Sequence, residues 1–516
     1  MLVDAHSLAD RSLVETDVCI VGAGPAGITL AHELKREPCR VCLVESGGAG
    51  FEQAAQDLSR LASVESDISP ALYNKRRQFG GNAHLWRHGR RPSHSLVRYL
   101  PLDEIDFTQR PWVPHSGWPF GRSTLDPYYA RAHEFLGIGR YDYSIESVAG
   151  PRAPELQLDP AQMRTSVEWF GTSHRFLRDC LGELRRSASV TMLAHATAGA
   201  LQEHAGGGRI ERLHIGCLNG KRHTLTAKVF VLATGGIENA RLLLMSNHHR
   251  AAGIGNEHDL VGRYFMDHLQ VRGVLVPADG RLFETTALYD VRRIADGRVM
   301  GCKLNLTPTV LEREQLLNSA LKIEARIPTR PLPKFIGTYA RLALKNRQLR
   351  PHLNGWSSLP ANARRFSEFS AYLQIELAPD PANRVLLTAE RDALGQPLAA
   401  VRWKWDSLSR RSALRTLRIL SECFARAGIG RLEMPHEDPP PMPHREGYNH
   451  HMGATRMHAD PRQGVVDANC RVHGVANLFV AGSSVFPTGG YANCTLTILA
   501  MTIRLADHLR NLLPGR

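Results

Sequence analysis

Long hydrophobic runs are missing from this 516-residue sequence. No stretch approaches the roughly eighteen consecutive apolar residues that a membrane-spanning helix needs. Residues 1–15 are interrupted by charged side chains where a secretion signal would have an apolar segment. We therefore expect neither a transmembrane span nor a standard secretion signal, and we predict a cytoplasmic protein.

Cysteines are few and irregularly spaced. The nine cysteines include a single Cys-x-x-Cys pair, Cys39 and Cys42, and no second pair completes a four-thiolate zinc site. The pair lies in an apolar segment with the character of a buried strand, in which residues three apart point to opposite faces. We predict no bound metal and no disulfide framework, and a reducing compartment fits this pattern best.

Nucleic-acid-binding motifs are also lacking, although the net charge is +14. The positive charge is spread along the chain, so we expect no nucleic-acid partner. With 43% hydrophobic and 22% charged residues, the composition is that of a globular protein and excludes disorder as the main state. A chain of this length is expected to form two domains, or one large domain with an insert.

The first strong motif lies near the N-terminus. An apolar segment, residues 16–21, leads into Gly22-Ala-Gly24-Pro-Ala-Gly27, and a second apolar segment, residues 39–44, ends at Glu45. With an amphipathic stretch between the two segments, this is the context in which GxGxxG indicates dinucleotide binding. The first glycine allows a tight turn, the second lets the backbone approach a pyrophosphate, and the third lets the helix pack closely. Glu45 is placed to accept hydrogen bonds from ribose hydroxyls.

A second pattern favours FAD over NAD as the dinucleotide. Three strand-like runs, Val190–Gln202, Arg209–Cys217 and His223–Ala233, are separated by glycine-containing turns. The third run ends in Ala233-Thr-Gly235. Many FAD-binding domains are completed by a β-meander that returns to a strand ending Ala-Thr-Gly beside the flavin.

The second half of the chain has a different character. Three runs, Leu373–Glu376, Arg384–Thr388 and Leu398–Trp405, are predicted to be strands of a separate sheet. A helical run over 407–427 follows them and is ended by Gly428. Further along, 477–481 is predicted to be a strand and 495–513 a closing helix.

These patterns divide the chain into two predicted domains. We predict an FAD-binding domain in residues 1–275, with segments of the second domain around 120–170. A substrate-binding domain is predicted in 276–440, and residues 441–516 are predicted to return to the FAD-binding domain.

In order and spacing, these motifs resemble those of the glucose–methanol–choline (GMC) family of FAD enzymes that oxidise alcohols. Arg77-Gln-Phe-Gly80-Gly81-Asn82 is similar to the family's glycine pair beneath the flavin, and the C-terminal blocks also match. The resemblance implies an α/β fold, in which a Rossmann-like FAD-binding domain carries an inserted α+β domain built on an antiparallel sheet. It implies FAD as the cofactor, bound by the following residues: Gly22, Gly24, Gly27, Glu45, Arg77, Gly80, Gly81, Asn82, Ala233, Gly235, Gly482 and Ser483.

The resemblance also implies two catalytic residues. The segment from His450 to Met457 resembles the family's His-x-x-Gly-Thr-x-x-Met, and Asn493 falls where the family places its second catalytic residue, His or Asn. A neutral imidazole is suited to take a hydroxyl proton near pH 7. An amide can hold the developing alkoxide without adding charge. Further candidates for substrate contact are Tyr491, His451 and Trp86, whereas His268 and His473 are assigned structural roles.

The sequence departs from the family pattern at three positions. Ala454 replaces the threonine of the histidine motif, and Cys494 stands where a proline usually follows the catalytic Asn. Relatives with covalent flavin carry a histidine at the position of Leu85, whereas His84 is one residue away. We therefore predict non-covalent FAD.

The resemblance is greatest to the sugar-oxidising branch, which includes pyranose 2-oxidase, fructose dehydrogenase and bacterial glycoside or aminoglycoside-pathway oxidases. It implies oxidation of a CH–OH group of a sugar, glycoside or related (amino)cyclitol or polyol, with hydride transfer to flavin N5. The electrons would then pass to O₂ or to an external acceptor. Two alternatives stay open, a hydroxynitrile-lyase-like FAD enzyme and the flavoprotein subunit of a membrane electron-transfer dehydrogenase complex.

One segment has an unusual charge pattern. Residues 325–367 contain no Asp or Glu but many Lys and Arg, interleaved with aromatic and aliphatic side chains. We interpret the segment as a solvated helix or a lid over the substrate pocket. The alternative is contact with an anionic membrane surface or partner.

Overall fold

The computed structural model describes residues 1–69, 73–86, 96–150, 153–279, 282–325, 356–358, 367–435, 437 and 449–513. Most of the basic segment 325–367 therefore lies outside the described residues. The strands are, in chain order, β1 Leu2–Asp4, β2 Leu13–Glu15, β3 Val18–Val21, β4 Val41–Val44, β5 Leu96–Tyr99, β6 Met163–Thr172, β7 Val190–Ala194, β8 Thr197–Glu203, β9 Ile210–Gly216, β10 Arg222–Thr226, β11 Val229–Leu232, β12 Leu269–Pro277, β13 Arg292–Arg293, β14 Val299–Leu306, β15 Ser319–Ala325, β16 Phe369–Ile375, β17 Arg384–Arg391, β18 Pro397–Arg402, β19 Gly430–Glu433 and β20 Leu478–Val480. The helices are α1 Pro25–Leu34, α2 Gln53–Asp57, α3 Glu104–Phe107, α4 Asp126–Leu136, α5 Leu181–Arg186, α6 Gly236–Met245, α7 Leu282–Thr285, α8 Pro308–Glu314, α9 Ser407–Arg426 and α10 Thr495–Leu512.

A parallel sheet holds the N-terminal glycine motif. Its six strands lie in the order β1-β7-β4-β3-β11-β20, and every neighbouring pair is parallel. All four residues of β3 and all four of β4 are buried. Strands of a parallel sheet are apolar throughout because helices cover both faces. The glycine turn connects β3 to α1, which begins at Pro25, and therefore lies at the carboxyl ends of the strands.

Two of the predicted runs each consist of two strands in different sheets. Val190–Gln202 divides into β7 of the parallel sheet and β8 of a four-stranded sheet, β2-β10-β9-β8. The division falls at His195, whose φ of 53° is one that a non-glycine residue seldom adopts. His223–Ala233 divides in the same way into β10 and β11. The prediction of single strands was wrong because the apolar pattern continues across the bend in the backbone.

A separate sheet is antiparallel throughout. Its path is β19-β12-β16-β15-β14-β6-β5, with β13 paired to β14. The predicted strands near 373, 384 and 398 do not share one sheet, which corrects that prediction. The first is β16 of this sheet, whereas β17 and β18 form a hairpin of their own that packs against α6.

The predicted fold class is confirmed, since a parallel α/β unit is combined with a separate antiparallel sheet. The domain limits at residues 275 and 440 stay a prediction, and β5 and β6 of the antiparallel sheet precede both. Within the described part of the chain, no helix combines the length and apolarity needed to cross a membrane. All nine cysteines are free thiols, and Cys42 is buried in β4.

Candidate active site

A cleft with about 1360 Å³ of empty space, counted to its open mouth, lies at the carboxyl ends of the parallel strands. Of the residues predicted to bind FAD, all except Gly27 and Gly80 line this cleft. Gly27 instead faces its own turn, where an added Cβ would lie 1.9 Å from the carbonyl oxygen of Gly22. This glycine therefore allows α1 to pack closely, the role that the sequence predicts for it.

The cleft has room for a ligand where three glycines face it. A Cβ added at Gly24, Gly235 or Gly482 would meet no atom within 4 Å. The N-terminus of α1, beside Gly24, offers backbone N–H groups that suit a phosphate. The Glu45 carboxylate accepts N–H groups from Ala23 at 2.9 Å and from Gly47 at 3.1 Å, and its remaining lone pairs can accept ribose hydroxyls. These features fit FAD.

Arg77 lies in a buried ion cluster at the cleft wall. Its Nη2 donates to Glu238 at 2.8 Å and its Nη1 donates to Ser46 at 3.0 Å. Lys75 and Arg241 contact the same Glu238 carboxylate. Burial alone would raise the pKa of Glu238, but the three cations hold it well below its usual range. The sequence pattern did not predict Lys75 or Glu238 as cleft residues, although both line the cleft.

His450 and Asn493 meet beside the cleft. The distance between His450 Nε2 and Asn493 Nδ2 is 3.1 Å. Asn493 lies two residues before α10, and its buried Oδ1 has no hydrogen-bond partner among the described residues. Cys494 has a φ of −62°, close to the value that a proline ring imposes, so the backbone there has a conformation that a proline could also adopt.

The hydrogen bonds around His268 determine which nitrogen of His450 carries a proton. His268 Nε2 lies 2.8 Å from the carbonyl oxygen of Gly490, which can only accept, so His268 Nε2 carries the hydrogen. His268 Nδ1 is then a lone-pair acceptor, 2.9 Å from His450 Nδ1 and 3.1 Å from the donor Nε2 of Gln374. His450 Nδ1 must therefore be the donor, and its Nε2 presents a lone pair on the side of Asn493.

Both histidines are neutral at physiological pH. Burial lowers the pKa of His268 to about 4. Burial is the chief cause that lowers the pKa of His450 well below its ordinary value. Since the uncharged form of imidazole is the one that accepts a proton, His450 is in the form that a general base requires.

Asp267 fixes the backbone that carries the two histidines. Its Oδ1 accepts the main-chain N–H groups of His268 at 2.7 Å and of His450 at 3.1 Å. Burial raises the pKa of the Asp267 carboxyl to about 7. The sequence did not predict Asp267 as a site residue, and His268 was assigned a structural role. The available signal was the Asp267-His268 pair, but nothing in the local sequence places this pair beside His450.

The other candidates for substrate contact lie in three different places. Tyr491 is buried, and its carbonyl oxygen accepts a hydrogen bond from Gln374 Nε2 at 2.8 Å. His451 is buried between Tyr73 and Asp267, with its Nε2 3.9 Å from Asp267 Oδ2. Trp86 lines the cleft, with its ring edge-on to Phe176. Among the three, Tyr491 faces the antiparallel sheet, whereas His451 and Trp86 lie on the cleft side.

Two family profiles match the chain. The profile described as "FAD dependent oxidoreductase" matches residues 17–322, well over half of the chain. The profile described as "GMC oxidoreductase" matches residues 379–502, which include His450 and Asn493.

Several curated proteins are similar to this chain. The fructose dehydrogenase large subunit of Gluconobacter japonicus is 28% identical over 291 residues, 56% of this chain, and the match spans about half of that protein, 48%. The 2-methyl-1,2-propanediol dehydrogenase of Mycolicibacterium austroafricanum is 24% identical, with 96% of this chain and 95% of that protein covered. The 6'''-hydroxyparomomycin C oxidase of Streptomyces lividus is 25% identical, with 96% and 92% covered. Among solved structures, a formate oxidase of Aspergillus oryzae RIB40 shares the fold with a TM-score of 0.54 and 16% identity, with 98% of this chain and 99% of that chain covered.

Proposed function

Because the chain belongs to the GMC family of FAD-dependent oxidoreductases, we propose that it oxidises a CH–OH group of a sugar, glycoside or related polyol. In this proposal His450 is the general base and Asn493 binds the hydroxyl oxygen. The observation that carries the proposal is the 3.1 Å approach of His450 Nε2 to Asn493 Nδ2 beside the cleft. The relatives described above, which are named for fructose, a diol and a hydroxylated aminoglycoside, support it.

The cleft residues would hold FAD in an orientation set by the glycine turn. Gly24 and the start of α1 would contact the pyrophosphate, Glu45 the ribose, and the chain around Gly235 and Gly482 the remainder of the cofactor. Bound FAD supplies the acceptor for the hydride that leaves the CH–OH carbon.

The protein's own contribution is proton transfer and charge stabilisation. The substrate hydroxyl gives its proton to the Nε2 lone pair of His450 as the C–H bond breaks, and the oxygen becomes a carbonyl. The Nδ1 lone pair of His268 then accepts from the His450 ring, which stabilises the positive charge that develops there. The Asn493 side-chain N–H donates to the oxygen while it carries negative charge.

Anaerobic flavin bleaching tests this function. The holoenzyme is mixed without oxygen with a panel of sugars, glycosides and simple alcohols, and flavin absorbance is followed before and after air is admitted. Bleaching by a panel member is expected, and recovery of the colour in air would identify O₂ as an acceptor. A flavin that stays oxidised with the whole panel, while a cyanohydrin is cleaved, would overturn the proposal in favour of a lyase.

A further inference from the structure

Charged side chains lie on one face of the antiparallel sheet, on neighbouring strands. Arg98 is on β5, Glu168 on β6 and Lys303 on β14. In the pairing register, Arg98 lies opposite Phe170, which is two residues after Glu168 on the same strand. Glu168 lies opposite Gly301, which is two residues before Lys303. Since alternate residues of a strand share a face, the three side chains project from the same face.

The three side chains form a compact buried cluster. Glu168 Oε2 lies 2.8 Å from Arg98 Nε and 3.3 Å from Lys303 Nζ. The side chains of Glu168 and Lys303 are 0% and 1% exposed. Apart from this ion pair, Lys303 Nζ has no hydrogen-bond partner among the described residues.

This cluster is beside the candidate active site. Lys303 Nζ lies 5.7 Å from the ring centroid of Tyr491, two residues before Asn493. The charges of Arg98 and Lys303 are among the causes, after burial and the neighbouring histidines, that lower the pKa of His450. Ser166, on the same face as Glu168, hydrogen-bonds to the Tyr491 side chain. The charged face and the His450–Asn493 pair therefore border the same region.

Among the described residues, the charges of the cluster do not balance when Lys303 is protonated. Two cations meet one carboxylate, and on the adjacent strand Lys322 is already paired with Glu324. Burial is the chief cause that lowers the pKa of Lys303 to about 7, so near neutral pH its charged form is only partly retained unless an anion stabilises it. Burial of a charge without a counter-ion is unfavourable, and a buried lysine then tends to lose its proton. An anion beside Lys303 and Arg98 would balance the cluster, whereas a cationic group would add to the repulsion.

We propose that Lys303 and Arg98 recognise an anionic substituent, a carboxylate or a phosphate, on the alcohol that this enzyme oxidises. This inference rests on the proposed function of His450 and Asn493. It narrows the substrate to acidic sugars and other acidic polyols. In this proposal Glu168 orients both cations, and the donors that it does not engage would bind the anionic group.

Four ligands that share the D-glucose ring test the inference on the holoenzyme: D-glucose, D-glucosamine, D-glucuronate and D-glucose 6-phosphate. The dissociation constant of each is measured without oxygen by calorimetry and by the change in flavin absorbance. At least one anionic member is expected to bind roughly 10- to 150-fold more tightly than D-glucose, the usual range for a hydrogen bond to a charged group. D-Glucosamine is expected to bind most weakly. The carboxylate and phosphate members show which anion the cluster accepts.

Variants then assign the preference to the cluster. Lys303→Gln should remove most of the preference for the anionic ligand and leave the affinity for D-glucose nearly unchanged, whereas Lys303→Arg, which keeps the charge, should retain the preference. Flavin content and circular dichroism check that each variant is folded. The ligand comparison on the unaltered enzyme does not depend on any variant.

The outcomes separate this inference from the proposed function. Equal affinity for all four ligands, or failure of both anionic members to bind, would overturn the inference. Flavin reduction by neutral alcohols without a preference for anions would do the same and leave the proposed function standing. Selective anion binding with a flavin that no alcohol reduces would support the recognition site and count against the oxidation.

Discussion

The Nδ1 atoms of His268 and His450 lie 2.9 Å apart, although 182 residues separate the two histidines in the sequence. Both rings are neutral, and the carbonyl oxygen of Gly490 accepts a hydrogen bond from the far nitrogen of His268. This arrangement leaves His450 a single tautomer, with its lone pair on Nε2. A general base needs that lone pair in a fixed direction, so the role of His268 is to position His450.

Substitution of His268 should therefore change the pKa of His450 as well as slow flavin reduction. We expect His268→Ala to slow flavin reduction by about 10- to 100-fold, less than loss of the base itself. Because the neutral His268 ring accepts a hydrogen bond from the His450 ring and so stabilises its protonated form, the pKa seen in the pH profile of flavin reduction should fall in the variant. His473→Ala, at a histidine that bonds to the carbonyl oxygen of His458, is the control. A slower variant with an unshifted pH profile would point to a structural role only.

Substitution of His450 should slow chemistry and leave the cofactor bound. FAD is held by the glycine turn and Glu45, so His450→Ala should remain yellow. Flavin reduction should slow by roughly 10²- to 10⁴-fold, the usual value of a positioned general base. Asn493→Ala should slow flavin reduction about 10²-fold, as for one lost donor to a developing oxyanion. The double variant should lose less than the product of the two, because both groups act on one oxygen.

The neighbouring histidine provides the matched control for this experiment. His451 is adjacent in sequence, but its ring packs against Tyr73 and Phe265 rather than against Asn493. In the His451→Ala variant, the substrate should therefore reduce the flavin at a rate near that in the unaltered enzyme. If His451→Ala is the crippled variant and His450→Ala is nearly normal, the assignment of the base is wrong by one residue.

The sequence was sufficient for features that are local in the chain. The glycine turn, Glu45 and α9 are contiguous patterns whose chemistry and periodicity can be read without a partner, and the structure has them at the predicted places. The division between β7 and β8 at His195 could not be predicted, because a residue with left-handed backbone does not change the apolar pattern of the sequence. The Arg98–Glu168–Lys303 cluster depends on the register of three strands far apart in sequence, so no local motif indicates it.

Whether FAD is covalently attached to the protein can be tested directly. Leu85 occupies the position of the flavin-linking histidine, and His84 Nε2 is 2.9 Å from the carbonyl oxygen of Phe79. We expect FAD to dissociate when the protein is precipitated with acid, which would leave the yellow colour in the supernatant. Colour that stays with the pellet, and survives as a flavin peptide after proteolysis, would contradict this prediction and identify the attached residue.

Asp267 should make stability depend on pH in a predictable direction. Its pKa is about 7 in the folded protein because of burial, against an ordinary value near 3.9 in the unfolded chain. Between these two values the folded state binds a proton that the unfolded state has lost, so the carboxyl lowers the free energy of unfolding as the pH rises from about 4 to about 7. Above pH 7 its contribution should be constant.

The variant Asp267→Asn isolates this effect, since its amide oxygen can still accept the N–H groups of His268 and His450. The melting temperature of the variant, relative to that of the unaltered protein, should increase between pH 4 and pH 7 and then level off. Asp296→Asn, at an exposed carboxyl whose pKa is lowered chiefly by the backbone N–H of Arg298, is the control and should show no such increase. A difference between Asp267→Asn and the unaltered protein that does not change with pH would mean that Asp267 is not protonated in the folded state.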